Sequence, residues 1–434
     1  MNHLDRRGFL GAAGTLAAAS MVNSAHAGQP DPVPIALIGC GGMGSNHLRA
    51  LAGNKAVKVV AVSDVDANRL ATAVKTVKDA GHDAPVAAQD FRKILDDPKI
   101  VAVWIAMPDH WHAPATILAC NAGKHVYVEK PCSHNLREGR LMIEAARKNN
   151  RIVQVGTQSR STEHIIEAMK RLHSGAIGDV LVAKAWNSQK RGNIGHKEPS
   201  DPPANLDFDA WLGPAPKRPY QTNLLPSVWR FWYDFGVGDI GNDGVHDIDI
   251  ARWGLGVDKQ PSTIAALGSK YFFDDDQQHA DTQYCAFEWP GDGQVGHKRM
   301  LIYEQRDWSP YFQEGFENGN AYYGTNGVMI LGKAGGWKMY APRGKLIEEM
   351  SGTPDLAAHH QNFLECIKTG KRPNADIEIN HLSTSLCHLG NIACRVQRTL
   401  KFDPEQEEFL DDAEADALLR RQYREGHWSV PKGV

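Results

Sequence analysis

Val33-Pro34-Ile35-Ala36-Leu37-Ile38-Gly39-Cys40-Gly41-Gly42-Met43-Gly44 is the stretch that decides the fold. Its first six residues are apolar and rich in β-branched side chains, which reads as a buried strand. The strand runs directly into a G-x-G-x-x-G, and a helical pattern follows from Ser45 to about Gly53. A second β run, 57–62, ends at Ser63-Asp64, and Asp64 lies twenty residues after Gly44. An acidic side chain at that distance is placed to bind a ribose 2′-hydroxyl. Each part has a physical task. Gly39 permits the tight turn, Gly41 lets the backbone approach a pyrophosphate, and Gly42 and Met43 complete the loop. Gly44 lets the helix pack closely, and the helix N-terminus offers free N–H donors and a positive dipole. The unit therefore reads as a dinucleotide site. A carboxylate at Asp64 repels a 2′-phosphate, so NAD is favoured over NADP, with Arg69 the nearest cation able to swing in.

The alternation continues outward from this unit. Helices are expected near 66–80, 90–96, 112–122 and 135–149, and strands near 84–87, 101–105, 125–128 and 151–155. Strand–helix alternation of this kind gives a doubly wound parallel sheet, with its ligand at the carboxyl ends of the strands. The expected organisation is a dinucleotide-binding domain over 32–157 and a second domain over 158–434 that ends in a C-terminal arm.

Composition excludes several other classes. The chain has 434 residues, 42% hydrophobic and 23% charged, as an ordinary globular protein of two domains does. Net charge is −3, from 48 basic and 51 acidic residues, which gives no electrostatic footprint for nucleic acid. Seven cysteines, odd in number and never spaced as CxxC, argue against a disulfide framework or structural zinc. Residues 1–27 read differently from the rest. Arg6-Arg7-Gly8-Phe9-Leu10 is a twin-arginine start, a mild Ala/Gly-rich run follows, and Ala25-His26-Ala27 is a small-x-small cleavage site. The run is too weak to span a membrane. Asp5 departs from the Ser or Thr usual before the arginines. Export of a folded chain by the twin-arginine route, to the periplasm or otherwise out of the cytoplasm, is the expectation.

Two strand ends carry unusual chemistry. Met107-Pro108-Asp109-His110-Trp111-His112 follows the strand at 101–105, and Glu129-Lys130-Pro131 follows 125–128. A lysine at a strand end beside a nicotinamide can hydrogen-bond a substrate hydroxyl. His110 and His112 lack a third partner at ligand spacing, so no metal is expected. Together, the GCGGMG unit with Asp64, the Pro108–His112 segment and Glu129-Lys130-Pro131 resemble the Gfo/Idh/MocA oxidoreductases. The resemblance covers nearly all of the chain beyond residue 27, and Glu-Lys-Pro is its most specific motif. It implies an α+β second domain with an open, mainly antiparallel sheet beside the nicotinamide, and a homo-oligomer, dimer or tetramer. It also implies that Lys130 is catalytic and that Pro108, Asp109, His112 and Glu129 lie against the cofactor.

The second half repeats the theme. Asp239-Ile240-Gly241-Asn242-Asp243-Gly244-Val245-His246-Asp247-Ile248-Asp249 resembles the family's D-x-G-x-H-x-x-D at a helix start. At helical spacing 242, 246 and 249 share a face, so His246 is the expected general base, with Asn242 and Asp249 beside it. Asn242 departs from the family's acid and cannot accept a proton, which leaves the acid–base work to Lys130 and His246. Asp243 is the substitute acid nearest in sequence, although α-helical spacing turns it away. Arg160 and Trp229 are further candidate substrate contacts, Trp229 within an aromatic run, 229–233, suited to a sugar face. His359-His360 and the acidic stretch 404–416 read as solvated helix faces, and the Pro-rich 199–219 as a surface arm suited to touching a neighbouring subunit. The leading functional reading is an NAD-dependent oxidoreductase acting on a secondary alcohol of a sugar or cyclitol. The alternative is a redox-neutral NAD-dependent glycosidase or lyase working through a transient keto-sugar. A nucleotide-sensing module without turnover ranks last.

Overall fold

The apolar run Val33–Ile38 forms β1, whose last four residues are buried. The computed structural model describes residues 31–434, so the expected signal at 1–27 lies outside them. Around β1 stand β2 (Val57–Ser63), β3 (Val86–Ala88), β4 (Ala102–Ile105), β5 (His125–Val128) and β6 (Val153–Val155). They form one parallel sheet in the order β3-β2-β1-β4-β5-β6. The chain reverses its direction of winding between β1 and β4, the crevice where a doubly wound sheet binds its ligand. The connecting helices are α1 (Gly42–Ala52), α2 (Ala67–Asp79), α3 (Arg92–Leu95), α4 (Asp109–Asn121) and α5 (Leu136–Lys148). Asp66 caps α2 and Asn135 caps α5 through side-chain acceptors, as their positions before apolar-periodic runs dictate.

Helix α4 begins at Asp109, three residues earlier than the sequence pattern suggests, so Pro108–His112 is not a loop but a cap and first turn. Pro114 sits inside that helix and cannot donate to the carbonyl of His110. Arg421, from the C-terminal arm, donates to that carbonyl at 2.8 Å instead.

Beyond the first sheet come α6 (Glu163–His173), β7 (Val180–Asn187), α7 (Phe208–Leu212) and α8 (Val245–Leu255). A second sheet adds β8 (Thr263–Ser269), β9 (Thr282–Trp289), β10 (Arg299–Arg306), β11 (Asn318–Gly324), β12 (Val328–Gly332), β13 (Gly336–Ala341) and β14 (Lys345–Met350). After α9 (Leu356–Thr369) and α10 (Ile377–Val396), β15 (Leu400–Asp403) and β16 (Glu408–Phe409) complete it. Its ten strands are antiparallel except for the β7–β10 pair. One face packs on α8 and α10 around Tyr303, Phe287 and Tyr322. The opposite face leaves Leu267, Tyr284 and Tyr323 exposed.

Two expectations are corrected by packing, and a third is refined. His359 and His360 are buried on α9, against Tyr127 and Trp104 of the first sheet. The 404–416 stretch is not one solvated helix: it contains β16 and the short helix α11 (Ala413–Ala417), and Phe409 and Ala415 are buried. The Pro-rich segment is exposed at 199–204, as a surface arm is, and then carries α7, where Trp211 O accepts from His110 and Trp111.

Candidate active site

The carboxyl ends of β1, β2, β4 and β5 open into a cavity of about 410 Å³, within the size range of small-molecule sites. Its walls include Gly39, Gly41, Gly42, Met43, Asp64, Pro108, Asp109, His112, Glu129, Lys130, Trp229 and Asn242. Twelve residues singled out from the sequence thus meet at one place. Gly44, Arg160, Asp243, His246 and Asp249 are not part of that lining.

The glycine wall is made of backbone. Gly39 has φ +91, and a Cβ there would lie 2.6 Å from Ala106 O. A Cβ on Gly44 would fall 1.9 Å from Gly39 O, so this glycine sets the approach of α1 to the strand end. At Gly42 nothing lies within 4 Å, leaving open space above the loop. No side chain caps the N-terminus of α1, so its first amides are free for an anion. Asp64 Oδ2 accepts from Cys40 N–H at 2.7 Å and Oδ1 from Asp66 N–H at 2.8 Å. Its pKa lies above the ordinary value because burial outweighs these hydrogen bonds. An anion-ready loop beside an acidic strand end fits a dinucleotide.

The opposite wall is made of charge. Lys130, after β5, donates from Nζ to Asn242 O at 2.8 Å and to Asn242 Oδ1 at 3.5 Å. Asn242 Nδ2 donates to Asp239 Oδ1 at 3.0 Å, and this fixes the amide so that its oxygen faces the lysine. Glu129 is buried and hydrogen-bonded to His47 Nε2 at 2.8 Å. Burial alone would raise its pKa, but His47 and Lys130 hold it down at about 2. His47 Nδ1 in turn meets His360 Nε2 at 2.9 Å. This supporting chain was missed from the sequence. His360 falls in register with Phe363 and Leu364 on the apolar face of α9, a pattern that signals its burial.

Residues 240–244 form a π-helical turn ahead of α8, which breaks the 3.6-residue spacing used to turn Asp243 away. Arg191 instead pairs with both Asp239 and Asp243, and Lys333, Arg191, Lys130 and His246 all act on the Asp243 carboxyl. Against its burial, those charges hold it well below the usual carboxylate range. His246 is 7% exposed, and burial, then Lys333 and Lys130, push its pKa down to about 3. It is a neutral imidazole at ordinary pH. Asp109 is pushed up to about 6 by burial, against the pull of His112, Lys130 and Arg230. His112 bridges Pro131 O and Met107 O at 2.7 and 2.8 Å, tying the two strand-end segments together.

Two expected substrate contacts are corrected. Arg160 and Asp249 hold each other in a buried bidentate pair, both contacts 2.8 Å, with Ser383 donating to Asp249 at 2.6 Å. They join α8 to the turn at 158–161 that follows β6, and neither lines the cavity. The aromatic run also divides: Trp229 faces the cavity, whereas Phe231 and Trp232 are buried.

Known proteins agree with this architecture. Levoglucosan dehydrogenase of Pseudarthrobacter phenanthrenivorans is 32% identical over 39% of this chain and 37% of its own length. Inositol 2-dehydrogenase 2 of Saccharopolyspora erythraea is 30% identical over 51% of this chain and 53% of its own. The matches thus cover about half or less of those relatives. The structure of aldose-aldose oxidoreductase from Caulobacter crescentus superposes with TM-score 0.64 over 86% of this chain and 100% of that one, at 20% identity, a likeness of fold. Residues 33–157 match the Gfo/Idh/MocA model described as oxidoreductase family, NAD-binding Rossmann fold, and 179–430 match its C-terminal alpha/beta domain. With the two matches spanning most of the sequence, the chain belongs to the Gfo/Idh/MocA oxidoreductase family.

Proposed function

We propose that the protein is an NAD-dependent oxidoreductase acting on a secondary alcohol of a sugar or cyclitol. The observation that carries the reading is Lys130, whose Nζ stands 2.8 Å from Asn242 O in the same cavity as the glycine loop. NAD, when bound, supplies the hydride acceptor. Free amides of Gly41–Gly44 hold its pyrophosphate and Asp64 its ribose. Lys130 donates to the substrate oxygen and so acidifies the hydroxyl. That lowers the demand on the base, for which we assign His246, standing behind the cavity lining within range of the Lys130 charge. Asp243 and Glu129 offset the positive charge that then forms on the imidazole. Asn242 orients the hydroxyl through its fixed amide oxygen.

Residues 1–27 make the mature chain an exported one, and a nucleotide outside the cytoplasm has no soluble pool to be recycled by. The cofactor is therefore retained through turnover. The outer face of the second sheet, with Leu267, Tyr284 and Tyr323, is the surface for a second copy. The test is to purify the exported protein, identify by mass the nucleotide that co-purifies, and follow nicotinamide absorbance across sugars, cyclitols and aryl glycosides. Net reduction of bound NAD by a free sugar is expected. Aglycone release without net redox change would select the redox-neutral glycosidase or lyase, and bound NAD without turnover would sink both.

A further inference from the structure

Arg230 lies on the short turn Trp229–Phe231 and lines the same cavity as Lys130 and Asn242. Its Nε is buried with no hydrogen-bond partner. The neighbouring acids are already taken. Arg191 holds Asp239 and Asp243, and the Asp109 carboxylate accepts from Val237 N–H at 3.2 Å. The ring of Trp229, 6.0 Å from the guanidinium carbon, is at the outer limit of a cation–π contact. Burial pulls the guanidinium below its ordinary pKa, yet an arginine remains charged at any working pH. A half-buried cation whose buried Nε–H has no acceptor is costly unless a ligand in the cavity completes it.

Resting on the hydride-transfer reading above, we propose that Arg230 recognises a carboxylate on the substrate, making a sugar acid of the uronate or aldonate class the preferred partner. The planar guanidinium fork matches a carboxylate in a bidentate pair. A dianionic phosphate fits less well, because Asp109, Asp239 and Asp243 bear on the same guanidinium. The cofactor is not its partner: the nucleotide's anionic group belongs at the glycine loop, whereas the charges acting on Arg230 are Asp239, Arg191, Asp109 and Asp243.

The test uses the NAD-loaded protein with glucuronate, galacturonate, gluconate, glucose and glucose 6-phosphate. Turnover is read by nicotinamide absorbance, and binding separately by tryptophan fluorescence. At least one of the three acids should bind better than glucose and glucose 6-phosphate. Arg230→Met should weaken that acid by about ten- to a hundredfold, clearly more than it weakens glucose, and retain NAD. Arg230→Lys should recover part of the loss. Arg230-dependent binding of an acid without turnover would uphold the carboxylate site and count against hydride transfer alone. Preference for glucose or glucose 6-phosphate, no binding of any of the three acids, or loss of NAD from Arg230→Met would overturn the proposal.

Discussion

The cavity has two walls built on different principles. At the glycine loop, selectivity comes from what is missing: side chains absent at Gly39 and Gly44 let backbone carbonyls approach closely, and none at Gly42 leaves open space above the loop. Across from it stand Lys130, Asn242 and Arg230, backed by Asp243 and His246 outside the lining, and there burial and neighbouring charges set the titration of Asp243, His246 and Arg230. A backbone wall tolerates almost no added atom but is indifferent to pH. A charged wall tolerates changes of shape better and fails through lost or misplaced protons.

The sharpest way to break this contrast is Lys130→Met. On the charged wall, turnover should fall by about a hundredfold or more while NAD stays bound, because the glycine loop is untouched. Steady-state rates and nucleotide content on the same preparation measure it, and undiminished turnover would remove Lys130 from the chemistry. Gly44→Val attacks the other wall. With the first added carbon 1.9 Å from Gly39 O, the helix must shift, at a cost of about 1–3 kcal/mol in thermal stability and with loss of retained NAD. A variant that keeps both would show that the close approach of α1 is not required.

Acid should separate the walls without mutation. Glu129 is held at about 2 when folded, below its ordinary value, so its stabilisation is full above the unfolded pKa and is lost as pH falls toward 2. His246, at about 3, is likewise depressed, so the unfolded chain takes up its proton first and stability declines as pH falls below about 6.5. Both signs agree. Between pH 7 and pH 3 Glu129 alone should remove about 2 kcal/mol, read as a falling midpoint of denaturant unfolding. His47→Gln should flatten the lower part of that curve, and an unchanged slope would show that the His47–Glu129 contact does not set it.

Legibility in the sequence followed the same division. The backbone wall was readable because turn, strand and helix rules are local: G-x-G-x-x-G needs only its own neighbours to be interpreted. Lys130 and Asn242 were readable as motif positions, and the structure brings them together. What failed to read was non-local. Arg160 and Asp249 looked available until packing paired them across 89 positions. His359 and His360 looked polar and solvated until α9 turned them toward Trp104 and Tyr127. Asp243 stays out of the cavity lining, but its pairing with Arg191 is non-local, and no residue in Ile240–Gly244 announces the π-helical turn that carries it.

Asp64 sits where the two principles meet, a charge serving the backbone wall. It should give the smallest effect of the set. Its two oxygens hold Cys40 N–H and Asp66 N–H, and Arg69 reaches to 3.2 Å from the position of a Cβ on Gly41. Asp64→Ser removes the negative charge that repels a 2′-phosphate and leaves Arg69 to attract one. The ratio of NADP to NAD affinity should rise by about tenfold, measured by titrating each nucleotide into protein stripped of its own. Adding Arg69→Ala should reverse most of that gain. If both affinities fall together and their ratio stays fixed, Asp64 serves to hold the loop through Cys40 rather than to read the ribose, and the charge belongs to the backbone wall alone.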